Sequence, residues 1–266
     1  MKRRMSRRAA ALITAAAQLC TVVQPASALA GGQLVPVDDI QGQQVTRIVT
    51  GNRFCTGVAV AKHWVLTAAH CLAAEPGQSY SITTGNTFTG HTYLGDSHYV
   101  APHSDVALIR VPEGLNLESY AEVAEVMPTE DSRGEVYGWG TGTGEILHTA
   151  QTTIKNTYRI DAYNGGYFFV VENDSPAVTL PGDSGGPVFY EGKVIGVNAS
   201  YTGHERAHHC RTDTLRDWVI GHITSYAPEP EQIVETNAPQ WLPLLALIPI
   251  IASIVAAIIA LFAKLP

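Results

Sequence analysis

The chain has 266 residues, of which 45% are hydrophobic and 15% charged, and its formal net charge is -7. Six of its 17 basic residues lie among the first eight positions or at Lys264, whereas all 24 acidic residues lie between positions 31 and 240. That segment therefore carries a net charge of about -13. An acidic surface of this size argues against nucleic acid and against anionic lipid as partners.

Residues 1–30 have the pattern of a secretory signal peptide. Basic residues occupy the first positions, a largely apolar stretch runs from Ala9 to Val23, and Ala28-Leu29-Ala30 offers a small-residue cleavage site. We therefore predict export, with cleavage of residues 1–30. An uncleaved membrane anchor is the alternative, but the apolar run is short for a span.

Short β-rich segments alternate with turns in the middle of the chain and predict an all-β barrel or sandwich. The predicted strands are residues 57–61, 63–67, 105–111, 135–139, 167–172, 187–190 and 193–199. Residues 31–226 are long enough for two packed β-barrels, whose junction we place near 127–134. Apolar residues at helical spacing predict a closing helix over 212–226, with Thr212 or Asp213 as its cap.

The C-terminal part reads as a membrane anchor. Residues 227–240 form a Pro-rich linker, and the 23 residues from Trp241 to Ala263 carry no formal charge. At about 1.5 Å per residue, a helix of that length covers the ~30 Å hydrocarbon core. We expect a single-pass protein of the cell membrane, with residues 31–226 outside and the tail 264–266 inside; a buried core helix is the alternative.

Three motifs carry the side chains needed to activate a hydroxyl nucleophile. A serine is a weak nucleophile unless a histidine takes its proton and a carboxylate holds the imidazole tautomer. The motifs follow in the order histidine, aspartate, serine, and they are Thr67-Ala68-Ala69-His70-Cys71, Ser104-Asp105-Val106-Ala107-Leu108 and Gly182-Asp183-Ser184-Gly185-Gly186-Pro187.

On these motifs, and on Tyr137-Gly138-Trp139-Gly140, the chain resembles the chymotrypsin/trypsin family of serine endopeptidases over about residues 45–226. The resemblance implies an all-β double barrel of the chymotrypsin type with a C-terminal helix. It also implies hydrolysis of a polypeptide substrate through an acyl-enzyme intermediate. No cofactor and no metal are expected.

The resemblance implies a role for each residue of the site. Ser184 is the expected nucleophile, His70 the general base and Asp105 the residue that orients His70. The backbone N–H groups of Gly182 and Ser184 are the expected oxyanion hole. A catalytically dead binding homologue is one alternative, although such proteins usually lose a triad residue; an esterase is another.

The resemblance also assigns the cysteines and the specificity pocket. Cys55 and Cys71 are expected to form a disulfide, and Cys210 to be linked to neither, because Leu180 occupies its usual partner position; Cys210 is then a free thiol, an intermolecular partner or a remnant. An ungapped count from Ser184 places Val178, followed by Thr179, at the pocket and favours apolar or small substrate side chains. With an insertion in the intervening segment, Asp174 would take that place and favour Arg or Lys.

Two points stay open in the sequence. In zymogen-activated relatives a newly cut N-terminal amine reaches the carboxylate that corresponds to Asp183. The spacing from His70 places that terminus near residues 29–32, so either signal cleavage supplies the amine or Asp183 uses another cation. His204, His208 and His209 adjoin Cys210, but residues 201–211 read as a surface loop and not as a metal site.

Overall fold

The structure, a computed structural model, describes residues 29–72, 79–140, 145–160, 166–174, 176–202 and 206–226. The predicted linker and the predicted membrane helix, residues 227–240 and 241–263, lie outside these ranges, as does the predicted signal peptide up to residue 28. No helix within the described ranges has the length and apolar character needed to cross a membrane.

Most of the described residues lie in short antiparallel strands. In chain order the elements are β1 (Gln33–Leu34), α1 (Ile40–Gln44), β2 (Val45–Thr50), β3 (Arg53–Ala61), β4 (Trp64–Ala68), a 3-10 turn (Ala69–Cys71), β5 (Tyr80–Thr83), β6 (Thr92–Gly95), β7 (Ser97–Val100), β8 (Val106–Arg110), β9 (Glu122–Val123), β10 (Arg133–Gly138), β11 (His148–Ile160), β12 (Gly166–Asn173), β13 (Pro187–Tyr190), β14 (Lys193–Tyr201), β15 (Arg206–Arg211), a second 3-10 turn (Asp213–Leu215) and α2 (Arg216–Ser225).

The first barrel is a seven-stranded antiparallel sheet in the order β6-β5-β2-β3-β4-β8-β7. Strand β4 is buried along its whole length and β8 over its first four residues, which explains their nearly continuous apolar sequences. The end of β4 pairs with the start of β8, with Ala68 opposite Val106. The residues that follow β4 and precede β8 are therefore neighbours in space.

The second barrel has the strand order β1-β11-β10-β13-β14-β15-β12, and β11 also pairs with β12 to close the ring. The short strand β9 lies parallel to β14 at its side. The segment from 174 to 186 connects β12 to β13 and carries the predicted nucleophile. One hydrophobic cluster joins the two barrels, since Leu66 of the first and Phe189 of the second both belong to it.

The predicted double barrel and its C-terminal helix are confirmed, but the junction lies earlier in the chain than predicted. Strand β9, at Glu122–Val123, already pairs with β14 of the second barrel, so the crossing precedes residues 127–134. Thr212, one of the two predicted caps, holds the N-cap position of the 3-10 turn that leads into α2, but its side chain does not cap that turn. The Thr212 hydroxyl instead donates to the Val194 carbonyl oxygen at 2.7 Å, because Thr212 is buried between strands.

The predicted surface loop at 201–211 is largely a strand. Strand β15 pairs with β12 on one side and β14 on the other, and Ala207, His209 and Cys210 are buried. Histidine is polar in sequence, but burial lowers the pKa of His209 to about 3 and keeps its ring neutral and compatible with a core position. The two adjacent histidines, which are polar residues, led to the prediction of a surface loop where the structure has an interior strand.

Candidate active site

His70 and Asp105 meet because their strands are neighbours in the first barrel. His70 lies in the 3-10 turn after β4, and Asp105 directly precedes β8. The Nδ1 atom of His70 lies 2.6 Å from Asp105 Oδ2, and its backbone N–H donates to Asp105 Oδ1 at 2.9 Å. Because the buried carboxylate accepts from Nδ1–H, the other ring nitrogen, Nε2, keeps its lone pair available to accept a proton.

The disulfide between Cys55 and Cys71 ties the His70 turn to strand β3. The structure contains this disulfide, as predicted from the resemblance, across a sequence separation of 16. Cys210 is free and buried, also as predicted. Burial raises the pKa of its thiol to about 12, so Cys210 is a poor thiolate nucleophile at neutral pH.

Ser184 lies on the second-barrel loop, whose path depends on glycines with positive φ. Gly182 has φ +100°, and a Cβ there would lie 2.5 Å from the Phe54 ring and 2.8 Å from the Gly140 backbone. Gly185 has φ +81°, and a Cβ there would lie 2.2 Å from the Thr56 carbonyl oxygen. Only glycine fits both the conformation and the space at these two positions.

The loop leaves two of its backbone N–H groups without acceptors. The N–H groups of Asp183, Gly185 and Gly186 donate to carbonyl oxygens of the protein at 2.8–3.0 Å. Those of Gly182 and Ser184 have no acceptor among the described residues. Two free donors that flank one side chain are the arrangement needed to bind an oxyanion.

Ser184 and His70 line the same cleft, a cavity of about 400 Å³ that also contacts Pro181 and Gly182. The side chain of His70 is 43% exposed, so the imidazole is accessible from this cleft. No hydrogen bond joins Ser184 Oγ to the His70 ring within the described part of the chain.

Asp183 is a fully buried carboxylate beside the nucleophile. Its oxygens accept from the backbone N–H groups of Leu180 at 2.8 Å, Gly140 at 2.8 Å and Leu29 at 3.3 Å. Burial raises the pKa of Asp183 to about 7, and the three N–H donors oppose that rise. No Lys, Arg or His side chain of the described ranges forms an ion pair with it.

The structure does not bring the two predicted pocket residues into this cleft. Val178 donates its N–H to the Ala30 carbonyl oxygen at 2.8 Å, and Thr179 is buried against Asn173. Neither lines the cavity that contains Ser184. The alternative, Asp174, is half-exposed and paired with Arg133 on the protein surface.

Two supporting residues were not found from the sequence. The Thr56 hydroxyl donates to the Gly182 carbonyl oxygen at 2.8 Å and accepts from Trp139 N–H at 3.0 Å, so it joins the barrels at the loop. Asn198 donates from Nδ2 to the Asp183 carbonyl oxygen at 3.1 Å. Threonine is common in strands, and a single asparagine does not by its type indicate which backbone group it contacts, so the sequence carried no signal for either role.

The described residues include one close group of possible metal ligands, formed by Cys55, His70 and Cys71. Both cysteines are joined in the disulfide and have no thiolate to offer a metal. The ring nitrogens of His208 are engaged by the hydroxyls of Tyr158 and Thr202.

Comparison with known proteins identifies the family of this chain. A family model described as Trypsin matches residues 35–219, well over half of the chain. An uncharacterized peptidase of Corynebacterium glutamicum (strain R) is 26% identical over 255 residues, covering 88% of this chain and 88% of that protein.

Solved structures agree in fold. Neuropsin, a serine protease expressed in the limbic system of mouse brain, has a TM-score of 0.60 at 22% identity, covering 72% of this chain and 98% of that one. An inactivated protease paralogue of the scabies mite has a TM-score of 0.62 at 19% identity, covering 74% of this chain and 100% of that one. These likenesses concern the fold alone. Together with the family match, they show that the chain belongs to the trypsin family and is a chymotrypsin-like serine endopeptidase.

Proposed function

We propose that the protein is a membrane-anchored, extracytoplasmic serine endopeptidase in which Ser184, His70 and Asp105 form the catalytic triad. The observation that carries this proposal is the double contact of the buried Asp105 carboxylate with His70, together with the cleft that His70 shares with Ser184. The carboxylate contact favours one tautomer of His70, with Nε2 unprotonated, and the imidazole lines the same cavity as Ser184.

The reaction follows from these positions. As Ser184 Oγ attacks the scissile carbonyl carbon, His70 Nε2 takes its proton and later delivers that proton to the leaving amine. Asp105 stays ionised and stabilises the imidazolium formed in between. A water molecule, activated by the same imidazole, then hydrolyses the acyl-enzyme and regenerates the Ser184 hydroxyl.

The free N–H groups of Gly182 and Ser184 support an oxyanion hole. Charge develops on the carbonyl oxygen only in the tetrahedral intermediate, so donors placed there lower the barrier and not the ground state. Both N–H groups lack acceptors in the described structure, whereas the neighbouring N–H groups of the loop are already bonded.

The substrate side chain before the cut is proposed to be apolar or small. No carboxylate lines the described cleft, in which Arg53 is the charged side chain besides the ionisable His70. A substrate Arg or Lys would lose hydration there and gain no opposite charge. Asp174 is held at the surface by Arg133 and does not supply one.

Labelling with a serine-directed fluorophosphonate tests the triad. The wild-type protein and a Ser200→Ala control, which changes an exposed serine in β14, should be labelled, whereas Ser184→Ala should not. Folded wild-type protein that resists the label would contradict the proposal and favour a binding function. A peptide-library digest then reads the substrate preference, and ester cleavage without peptide cleavage would favour an esterase.

Membrane anchoring rests on the sequence of residues 241–263 and has its own test. The described domain ends at Tyr226, directly after α2, which makes this the natural truncation point. Cells expressing the full chain should retain it in the membrane fraction, and cells expressing the truncated chain should release a soluble, labelled domain. Full-length protein in the soluble fraction would contradict the anchor.

A further inference from the structure

Another cavity, of about 460 Å³, lies apart from the active-site cleft. This volume is within the range of small-molecule sites, about 300–1,000 Å³. Five rings line it: Trp64 of β4, Tyr99 of β7, Trp218 and His222 of α2, and Tyr226 directly after α2. None of these five residues lines the cleft that contains the proposed nucleophile. We call this space the aromatic cavity.

The aromatic cavity and the catalytic residues lie at opposite ends of one strand pair. Trp64 begins β4, opposite Arg110 of β8, whereas His70 and Asp105 adjoin the far end of the same pair. At about 3.3 Å per residue, the four-residue step along β4 corresponds to roughly 13 Å. A ligand in the aromatic cavity would therefore occupy a separate site and leave the peptide-binding cleft free.

The rings of the aromatic cavity meet at steep angles and do not form one flat surface. The plane of Trp64 lies at 82° to that of Tyr226 and at 61° to that of Tyr99, with ring centroids 5.8 Å and 5.6 Å apart. Trp218 and His222 meet at 54°. Because all five rings line one cavity, aromatic surface encloses it from several directions, as in the aromatic cages that bind organic cations.

The charges around the cavity also favour a cation. Asp217, in the first turn of α2, is the formally charged residue of the described wall, and it forms no ion pair within the described ranges. The guanidinium of Arg110 lies over the Tyr226 ring at 5.6 Å from its centroid. Its charge is balanced by Asp96, which accepts from both Nε and Nη2. One ring of the group thus already holds a cation, and the Asp217 carboxylate stays uncompensated.

The chemistry of the wall favours a quaternary ammonium group over a primary one. A primary ammonium is compact and strongly hydrated, and it needs several acceptors to replace the water that it loses. The described wall offers mainly ring faces and one carboxylate. A quaternary ammonium has no N–H groups, so its methyl groups contact the rings while its charge is attracted to the ring faces.

We propose that the aromatic cavity binds a small organic cation that carries a quaternary ammonium group. The rings of Trp64, Tyr99 and Trp218 contact its methyl groups, and the Asp217 carboxylate at the wall balances its charge. The site does not depend on the proposed triad, because no residue of the aromatic cavity lines the active-site cleft.

Calorimetric titration of the full chain in a neutral, sugar-based detergent tests the proposal, with choline as the probe. Sodium chloride at equal ionic strength is the salt control. The matched ligand control is the uncharged isostere of choline, in which a carbon atom replaces the nitrogen. We expect saturable choline binding with a Kd on the order of 1 mM, and about tenfold weaker binding of the isostere. Isostere binding as tight as that of choline, or no saturation by choline about 100-fold above this Kd, overturns the proposal.

Two substitutions test whether choline binds in the aromatic cavity. Trp218→Leu keeps an apolar side chain and removes the ring, and it should weaken choline binding about tenfold. Asp217→Asn keeps the shape of an exposed side chain and removes its charge, and it should weaken binding about threefold. Phe88→Leu and Asp38→Asn remove an exposed ring and an exposed charge outside the cavity and should bind like wild type. Unchanged binding in both cavity variants, or equal losses in the controls, overturns the proposal.

Labelling by the fluorophosphonate separates this site from the catalytic one. Saturating choline should leave the labelling rate of wild type unchanged, and Ser184→Ala should bind choline with the wild-type Kd. Choline binding by a chain that resists the label would contradict the catalytic proposal and leave the cation site established. Protection of Ser184 from the label by choline would place the cation in the active-site cleft and overturn the inference.

Discussion

The two barrels contribute to the candidate site in different ways. The first barrel supplies His70 and Asp105, which contact each other directly from neighbouring strand ends. The second supplies Ser184 on a loop held by positive-φ glycines and by contacts from elsewhere, including Leu29 and Thr56. The contribution of the first barrel thus depends on which side chains are present. The contribution of the second barrel depends on a backbone path that residues far away in the sequence hold in place.

The largest expected effect on turnover comes from disrupting the contact between His70 and Asp105 in the first barrel. Asp105→Asn should lower peptidase turnover by about 10⁴, because an amide favours the wrong imidazole tautomer while nearly preserving shape. The substitution should leave the fold intact. Steady-state turnover on a peptide substrate and far-UV circular dichroism check both expectations. Asp96→Asn, at an exposed ion pair with Arg110, is the matched control and should retain turnover.

In the second barrel, we expect a single added methyl group in the Ser184 loop to lower turnover. Gly182→Ala places a Cβ 2.5 Å from the Phe54 ring at φ +100°, which displaces one proposed oxyanion donor. We expect turnover to fall by about 10²–10³ with all triad side chains present. Gly221→Ala is the matched control: it lies in α2 with open space around it and should be neutral or slightly stabilising. Equal activities of the two variants would contradict the comparison.

The disulfide stabilises the turn that carries His70. Replacing Cys55 and Cys71 together by serine should lower the free energy of unfolding by about 3 kcal/mol, the chain-entropy value for a loop of this length. Urea titration measures the loss. Cys210→Ser is a control without a disulfide to lose, and reducing agent should destabilise wild type and Cys210→Ser alike. A reductant-insensitive wild type would show that the bond is not formed.

The contact between the barrels is expected to matter less. Thr56→Val removes the hydroxyl that bonds Gly182 and Trp139 and leaves two buried backbone groups without partners. We expect a loss of about 1–3 kcal/mol in stability and a tenfold lower turnover. Thr56→Ser keeps the hydroxyl and should restore most of the turnover. If Thr56→Ser loses turnover and Thr56→Val does not, methyl packing and not the hydrogen bond controls the loop.

The same difference explains what the sequence could predict. Local motifs, whose residue types indicate their chemistry, were sufficient to predict the roles of His70 and Asp105 and the Cys55–Cys71 disulfide. Seven strands and the closing helix followed from apolar patterns. The β15 strand was missed because its buried His209 is neutral only through the burial that the fold itself creates.

The support of the Ser184 loop could not be predicted with the same certainty. The position of Leu29 depends on backbone pairing between residues over 140 positions apart, for which no residue type provides a signal. Val178 illustrates the same limit. An ungapped count places it at the pocket; in the structure its N–H donates to the Ala30 carbonyl oxygen, and it does not line the cavity that contains Ser184, so its place in the specificity pocket stays a prediction.

The smallest effect on stability and activity is expected at Asp174. This residue belongs neither to the His70–Asp105 pair of the first barrel nor to the Ser184 loop of the second, so it tests the comparison between them. Its side chain is 52% exposed, and the hydrogen bond from Arg133 lowers its pKa. Exposed ion pairs contribute about 0–1 kcal/mol, so Asp174→Asn should barely change the urea midpoint. More importantly, it should leave the ratio of kcat/KM for apolar over Arg substrates unchanged, because this carboxylate lies away from the cleft. Arg133→Gln removes the partner and should behave alike. A collapse of Arg cleavage in Asp174→Asn alone would place that carboxylate at the substrate and overturn the assignment of an apolar pocket.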